Sequence, residues 1–147
     1  MASAEVRLAQ SDAEIAACFP ILSQLRPQVQ ENEFVQAVKR MSADGYQLAC
    51  LYNNGGIQTI AGFRISESFA WGRYLYVDDL VTMEGARSKG HGQEMFTWLV
   101  AHARAERCQQ LHLESGVQRF AAHKFYLCNG MRISSHHFQL FLDRSNP

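Results

Sequence analysis

The sequence has 147 residues, and its 14 Lys and Arg balance its 14 Asp and Glu, so the formal net charge is zero with histidine neutral. A chain of this length forms one ordinary domain and buries enough surface to fold without disulfides or metal. The charged fraction of 19% and the hydrophobic fraction of 47% exclude a disordered chain and give no electrostatic basis for binding nucleic acid. We therefore expect a single domain over residues 1–147 with a small-molecule partner and no nucleic acid.

The cysteines and the terminal residues bear on the compartment of the protein. Cys18, Cys50, Cys108 and Cys128 show no C-x-x-C spacing, and the first residues carry no signal-peptide pattern. The apolar runs are far shorter than the roughly 18 residues that cross a membrane. The histidines have no acidic or cysteine neighbours at a recognised ligand spacing. We expect reduced thiols, a cytoplasmic protein without membrane contact, and no metal.

The patterns along the chain predict ten elements in the order β-α-α-β-β-β-α-β-α-β. The predicted strands cover residues 5–9, 46–52, 57–65, 74–83, 110–114 and 138–142, and the pattern leaves room for one extra strand near Met131. The first predicted helix follows the cap at Ser11, and the other three cover residues 32–41, 92–107 and 117–128. This order indicates an α/β (α+β) fold with a mixed, mostly antiparallel sheet and helices on both faces.

Local signals fix several of these boundaries. Ser11 and Glu14 have the spacing of a capping box, which predicts that the first helix begins there. That helix is expected to bend at Pro20 and to end near Pro27. Residues 53–56, Asn-Asn-Gly-Gly, predict a hairpin turn because Asn and Gly tolerate positive φ.

The long helix predicted over residues 92–107 follows directly on the strand over residues 74–83 and a loop over residues 84–90. Its apolar residues recur at helical spacing and are expected to pack on the sheet. They are Met95, Phe96, Leu99, Val100 and Ala103.

The loop before this helix carries the pattern R-x-x-G-x-G, formed by Arg87, Gly90 and Gly92. Two glycines let the backbone approach an anion closely, and the amino terminus of the following helix adds partial positive charge. A diphosphate could sit there. The pattern differs from the Walker and Rossmann motifs, and the alternative is a glycine loop that merely turns a corner.

A second motif gives the pattern its context. Residues 122–126, Ala-His-Lys-Phe-Tyr, lie on a predicted helix that ends at Gly130-Met131. In this order and at this distance the two motifs resemble those of the GNAT superfamily of N-acetyltransferases, over residues 80–131. Residues 115–119 and 135–138 also resemble GNAT members that acetylate small amines, including aminoalkylphosphonate acetyltransferases.

The resemblance implies transfer of an acetyl group from acetyl-coenzyme A to a primary amine of a small molecule by direct attack, and it suggests a homodimer. It implies a single-domain GNAT fold in which the strand ending at residues 80–83 splays from the strand over residues 110–114. Pantetheine would pair with backbone groups of Val81 and Met83, and an amide of Leu80 or Val81 would polarise the thioester. The pyrophosphate would lie on Arg87, Ser88, Lys89, Gly90, His91, Gly92 and Gln93.

The resemblance also implies an acid and a base. Tyr126 matches the tyrosine that protonates the departing thiolate; its alternative is an aromatic at the core edge. The amine must lose a proton before it attacks, so a carboxylate near the splay is expected. Asp79 is preferred over Asp78, because neighbours on a strand face opposite ways and only one of them can point into the cleft. The alternative for both is a paired or solvated charge at the end of the strand. Glu114 is the other candidate for the base, and its alternative is a surface carboxylate that caps the next helix.

The acceptor is expected between residues 20–45 and 132–137. Trp71, Phe69 and Tyr74 either wall that pocket or pack in the core. Two other functions stay open at this point. One is acetylation of a protein or peptide, and the other is a non-catalytic acyl-coenzyme A sensor.

Overall fold

The computed structural model describes residues 4–143. The chain divides after Leu113 into two compact units. The first unit contains β1 (Glu5–Leu8), α1 (Asp12–Ala17), α2 (Phe19–Leu25), α3 (Glu31–Ser42), β2 (Gln47–Asn53), β3 (Gly56–Ser68), β4 (Gly72–Thr82), a 3-10 turn (Glu84–Ala86), α4 (His91–Ala105) and β5 (Gln110–Leu113). The second unit contains α5 (Phe120–Cys128).

The sheet confirms the predicted fold class. Its five strands lie in the order β1-β2-β3-β4-β5. The first four are antiparallel to their neighbours, and β5 is parallel to β4. The β2–β3 hairpin closes through Asn54 and Gly55, whose φ angles of 55° and 79° are those that two-residue hairpin turns require.

The first predicted helix is two helices. Ser11 accepts from the Glu14 amide and Glu14 accepts from the Ser11 amide, so the capping box is present. The helix then ends at Cys18, and α2 begins at once with Pro20 in its first turn. Proline has no N–H to donate, so the chain changes direction here instead of bending within one helix.

Two apolar cores lie on opposite faces of the sheet. The helices α1, α2 and α3 contribute to one core, which includes Ile21 and Phe34. The helix α4 contributes to the other, which includes Met95 and Leu99. Helices therefore cover both faces, as the sequence predicts.

A β-bulge in β4 changes which residues face each core. Gly62 of β3 pairs with Asp79, but the next residue, Phe63, pairs with Val77, so Asp78 is the extra residue. Val77 packs in the core on the α4 face, whereas Val81 packs in the core on the other face. In a regular strand, two residues four positions apart would face the same side. The bulge thus turns Asp79 toward the face covered by α1–α3.

The second unit differs from the predictions. α5 begins at Phe120 instead of residue 117 and ends before Gly130, whose φ is 86°. The strand predicted over residues 138–142 and the extra strand near Met131 are wrong for the single chain, because residues 131–143 form no strand. An alternating segment becomes a strand when another edge supplies hydrogen-bond partners, and no described strand does so here.

No helix within residues 4–143 is long and apolar enough to cross a membrane.

Candidate active site

The site begins where β4 loses its parallel neighbour. The pairing of β4 with β5 runs from Tyr74 with Gln110 to Val77 with Leu113. Beyond Val77, the residues 78–82 have no paired strand on that side within the described chain. The pairing with β5 therefore stops within β4, as a splay requires, and no described strand completes the ladder on that side.

The hydrogen bonds to β3 determine which residues face this open edge. The Met83 amide donates to the Gln58 carbonyl at 2.7 Å, and Thr82 lies opposite Thr59. In an antiparallel ladder, alternate residues direct their backbone groups to opposite edges. Met83 and Val81 are therefore directed at β3.

This corrects the expectation that Val81 and Met83 present their backbone to a ligand. By the same alternation, Leu80 and Thr82 direct their N–H and C=O groups to the open edge. The error comes from the bulge at Asp78, which shifts the strand's alternation and leaves no local pattern in the sequence. Leu80, the other residue predicted to offer its amide, is one of the two directed at this edge.

The glycine loop leads into the amino terminus of α4. Gly90 precedes the helix with φ of 83°, in the left-handed region, and no side chain caps the helix. The first helical bond runs from the Glu94 amide to the Gly90 carbonyl at 3.0 Å. The amides of His91 and Gly92 precede that bond, so they are available to an anion at the positive end of the helix.

The loop and the open edge meet at Thr82. A Cβ on Gly92 would lie 3.7 Å from the Thr82 hydroxyl oxygen, and Arg87 Nε lies 3.5 Å from the Thr82 carbonyl oxygen. One elongated ligand can therefore contact the backbone of β4 and the start of α4 together.

The predicted loop residues differ in exposure. Arg87, Ser88, Lys89 and Gly90 are exposed, and so is Gln93, whose side-chain amide donates to the Thr97 hydroxyl at 3.3 Å. His91 is 6% exposed. Its Nδ1 has no hydrogen-bond partner within residues 4–143, because Glu94 is 4.0 Å away.

Asp79 lies on the face covered by α1–α3 and is 9% exposed. Arg26 Nε donates to its Oδ1 at 2.9 Å, and the Tyr46 hydroxyl donates to its Oδ2 at 2.9 Å. Burial, together with the negative charge of Asp79, raises the pKa of Tyr46 well above its ordinary value, which keeps the hydroxyl protonated as a donor. Neither Arg26 nor Tyr46 is near Asp79 in sequence, and no local signal marks them.

Asp78 forms a separate ion pair on the bulge. Its Oδ2 accepts from Arg64 Nε at 2.8 Å, while its carbonyl accepts from Arg26 Nη2 at 2.9 Å. Both aspartates are therefore paired charges, which agrees with the alternative interpretation of their positions in the sequence.

The second unit holds the remaining candidate groups. His137 Nδ1 lies 2.8 Å from Glu114 Oε2, and both side chains are about half exposed. Burial raises the pKa of Tyr126 above its ordinary value, and the charge of Arg119 opposes this in part. The phenol therefore stays protonated at neutral pH.

The expected acceptor region contains an open groove of about 550 Å³. Its lining is mostly polar and consists of Gln28, Val29, Gln30, Asn32, Glu33, Gln36, Ala37 and Arg40. Within the described residues, no three His, Cys, Asp or Glu side chains are grouped to hold a metal.

The aromatic cluster lies elsewhere. Trp71 stacks on His112 with ring centroids 3.6 Å apart and meets Tyr74 edge-on at 4.9 Å. Phe69 is fully exposed and does not join it. Tyr74 is eight residues from Thr82 along β4, which is about 26 Å. The cluster therefore does not wall the open edge at Thr82.

Comparison with known proteins identifies the same family by two routes. The family model for the GNAT acetyltransferases matches residues 14–131. An uncharacterized N-acetyltransferase, YhdJ, of Bacillus subtilis is 33% identical over 131 residues, which are 88% of this chain and 92% of that protein.

Solved structures show the same fold. A protein described as a transcriptional regulator, from Bacillus halodurans, has a TM-score of 0.84 at 18% identity and covers 95% of this chain and 100% of its own. A GNAT family acetyltransferase from Staphylococcus aureus has a TM-score of 0.81 at 19% identity, with coverage of 96% and 100%.

The Asp79 network predicts an effect for Gly62, which pairs with Asp79 across the strands. A Cβ on Gly62 would overlap the Tyr46 hydroxyl, so Gly62→Ala should displace that hydroxyl and lower the free energy of unfolding by about 1–3 kcal/mol. Urea unfolding at pH 7 measures it. Gly56→Ala, in the same strand with only an ordinary side-chain contact at 3.5 Å, is the control; equal losses in the two variants would contradict the prediction.

The raised pKa of Tyr46 gives a second prediction. The unfolded chain releases this proton near pH 10, whereas the folded chain keeps it, so stability falls as pH rises above about 10. In Tyr46→Phe this part of the decline is absent, although the variant is less stable at pH 7 because Asp79 loses a donor. Unfolding curves at pH 7 and pH 10.5 test it, and an unchanged slope in Tyr46→Phe would refute the assignment.

Proposed function

We propose that this chain, which belongs to the GNAT family of acetyltransferases, transfers the acetyl group of acetyl-coenzyme A to a primary amine of a small molecule. The observation that carries the proposal is the junction at Thr82, where an uncapped helix amino terminus meets the unpaired half of β4. Acetyl-coenzyme A has the matching parts in sequence: a diphosphate, then an amide-bearing pantetheine arm, then the thioester.

The loop supplies the diphosphate site in this proposal. The amides of His91 and Gly92 bind phosphate oxygens, and the missing side chain of Gly92 allows close approach. Arg87 and Lys89 are exposed and add charge. The net charge of zero gives no long-range attraction, so recognition of a polyanion has to come from these local groups.

The open edge of β4 holds the pantetheine arm and the thioester. The arm's amides pair with Thr82 and Leu80 in the way that an added strand would. The Leu80 amide points toward the thioester oxygen and stabilises the negative charge that develops on it during attack by the amine. No acyl-enzyme forms in this scheme, and the new C–N bond replaces the C–S bond directly.

The two carboxylates take different roles. Both oxygens of Asp79 already accept hydrogen bonds from side chains of the protein, Arg26 and Tyr46. We therefore assign Asp79 to orientation of the acceptor or of the groups around it. Glu114 with His137 is a carboxylate–imidazole pair, and imidazole is the side chain that most often serves as a general base. It is the better candidate for the base.

Tyr126 donates the proton to the coenzyme thiolate as it leaves. Its raised pKa keeps the phenol protonated through neutral and mildly alkaline pH. The proton lost by the amine and the proton gained by sulfur balance, so the products are an amide and free coenzyme A.

The identity of the acceptor rests on composition and resemblance. Half of the residues that line the groove beside α3 have amide side chains, and the groove holds one acidic and one basic side chain, Glu33 and Arg40. A polybasic peptide would gain little from a neutral protein, which favours a small amine over a histone-like target. The subtype that acetylates aminoalkylphosphonates is part of this proposal.

A screen of small amines with acetyl-coenzyme A tests the reaction, with thiol release as the signal. We expect release with at least one primary amine and none with the tertiary analogue of the same compound. Acetylated peptides in an intact-mass assay would favour the peptide enzyme instead. Binding of acetyl-coenzyme A without thiol release from any amine or peptide would favour the sensor and contradict the proposal.

Gly92→Ala tests the diphosphate site. The new methyl group lies at an ordinary 3.7 Å from Thr82, and alanine favours a helix, so the melting temperature should not fall. Because the methyl group occupies the anion's approach, the Kd for coenzyme A should rise about tenfold, which is about 1.4 kcal/mol. Gly85→Ala, where a Cβ meets no atom within 4 Å, is the control in the same titration. Unchanged affinity in Gly92→Ala would exclude this site.

Tyr126→Phe tests the acid. We expect kcat to fall about 100-fold with an unchanged Kd for acetyl-coenzyme A. In the unaltered chain, the raised pKa of Tyr126 predicts no loss of kcat from this group below pH about 10. Tyr74→Phe, in the aromatic cluster on β4, should keep full activity. A Tyr126→Phe enzyme with the same kcat would remove Tyr126 from the mechanism.

A further inference from the structure

Two cysteines that are distant in sequence lie in contact inside the first unit. Cys18 ends α1 and Cys50 lies in the middle of β2, and their Sγ atoms are 3.2 Å apart in a thiol–thiol hydrogen bond. Carbon atoms in a packed core are about 3.5–4.0 Å apart, although sulfur is the larger atom. Both cysteines belong to the core beneath α1–α3 and are 0% exposed. The proposed acetyl transfer uses neither of them.

The contact sets this pair apart from an ordinary buried cysteine. A single buried thiol packs as a small apolar group and is inert. Two thiols in contact can instead be joined, because the sulfur atoms of a disulfide are about 2.05 Å apart and each sulfur here has to move by only about 0.6 Å to reach that distance. Both cysteines are free thiols in this structure. The geometry therefore holds a reduced pair close to the arrangement of its oxidised form.

The surroundings make the two thiols unequal. The hydrogen bond from Cys18 lowers the pKa of the Cys50 thiol; burial opposes this in part, and a hydrogen bond from Tyr52 adds to it. The same thiol–thiol bond, together with burial, raises the pKa of Cys18 well above its ordinary value. Cys18 also donates to the Glu14 carbonyl at 3.4 Å. Because the thiolate is the nucleophilic form of cysteine, Cys50 is the sulfur that attacks first.

Cys50 lies one strand away from the edge of the sheet. The edge strand β1 pairs with β2, and its exposed residue Arg7 lies opposite Cys50. The Arg7 guanidinium carbon is 4.2 Å from the ring centre of Tyr52, which is half-buried at the border of the core. Tyr52 thus connects the Cys50 thiol with the surface. Local opening of an edge admits a reagent the size of hydrogen peroxide more readily than a larger thiol reagent.

We propose that Cys18 and Cys50 are a modification site for hydrogen peroxide, which converts them into a disulfide that ties the junction of α1 and α2 to β2. In the first step the Cys50 thiolate attacks one peroxide oxygen and the O–O bond breaks. The hydroxide that leaves takes up the proton released by Cys50, which gives water and a sulfenic acid on Cys50.

The second step needs no further reagent. The Cys18 sulfur attacks the sulfenic sulfur of Cys50, the S–O bond breaks, and the departing hydroxide takes the Cys18 proton. Two thiols are thereby oxidised to one disulfide, and one peroxide is reduced to two molecules of water. Because Cys18 is already in contact with Cys50, it traps the sulfenic acid before a second peroxide can oxidise it irreversibly.

The position of the link determines its effect on the fold. Cys18 lies where α1 ends and α2 begins, and Cys50 lies 32 positions further along the chain. A cross-link of this span restricts the unfolded chain more than the folded one. The oxidised chain is therefore expected to be the more stable form, and a dithiol reductant returns it to the reduced form.

Peroxide treatment of the folded full chain tests the site without any measurement of activity. N-ethylmaleimide first blocks the exposed thiol of Cys128, and hydrogen peroxide is then added at pH 7. Within hours, peptide mapping should recover the peptides of Cys18 and Cys50 as one cross-linked species, which dithiothreitol separates. A link to Cys108, oxygen added to either cysteine in place of the link, or two thiols that stay free would overturn the proposal.

Thermal unfolding shows whether the link forms within the native structure. The cross-linked chain should melt roughly 5–10 °C above the reduced chain, because the link constrains only the unfolded state. A melting temperature below that of the reduced chain would mean that the link requires a distorted fold and would contradict the proposal.

Two variants test the order of attack. Cys50→Ala should leave Cys18 unreactive toward peroxide, because its thiol keeps its proton. Cys108→Ala removes a half-buried thiol outside the pair and should form the link at the unaltered rate. Oxidation of Cys18 at the unaltered rate in Cys50→Ala would overturn the role of Cys50 as the attacking sulfur. If Cys50→Ala does not fold, peptide mapping of the unaltered chain still decides whether the disulfide forms.

Discussion

The β-bulge at Asp78 is the constraint on which the candidate site depends. The extra residue shifts the alternation of β4, so Asp79 turns to the face of α1–α3, where Arg26 and Tyr46 bind both of its oxygens. These bonds tie β4 to Arg26 at the end of α2 and to Tyr46, just beyond the point where the pairing with β5 stops. The second half of β4 is thus held against the α1–α3 face by a partly buried hydrogen-bond network.

Most of the first unit can be predicted from the sequence because its signals are local. The capping box at Ser11, the Asn54-Gly55 turn and the apolar face of α4 act through neighbours within a few residues. The glycine loop and its position before a helix are also local, and they lead to the proposed diphosphate site. These elements need no knowledge of what lies across the sheet.

The remaining features depend on contacts that are distant in sequence. Arg26 and Asp79 are 53 residues apart, and the bulge arises from pairing with β3, so the sequence predicts Val81 and Met83 where the ladder points Leu80 and Thr82 to the edge. The strand over residues 138–142 fails for a related reason. Its alternation predicts a strand correctly only if an edge is present, and an edge is a property of another segment or another chain.

The second half of β4 is an edge of the described sheet that no strand covers on the β5 side. A row of unpaired backbone groups is costly unless something completes the ladder. At β4 the row is short and ends at a helix amino terminus, so an elongated ligand with amides and a phosphate fits it better than a protein strand would. The chemistry next to this edge, the positive end of a helix, therefore favours the anionic co-substrate that we propose.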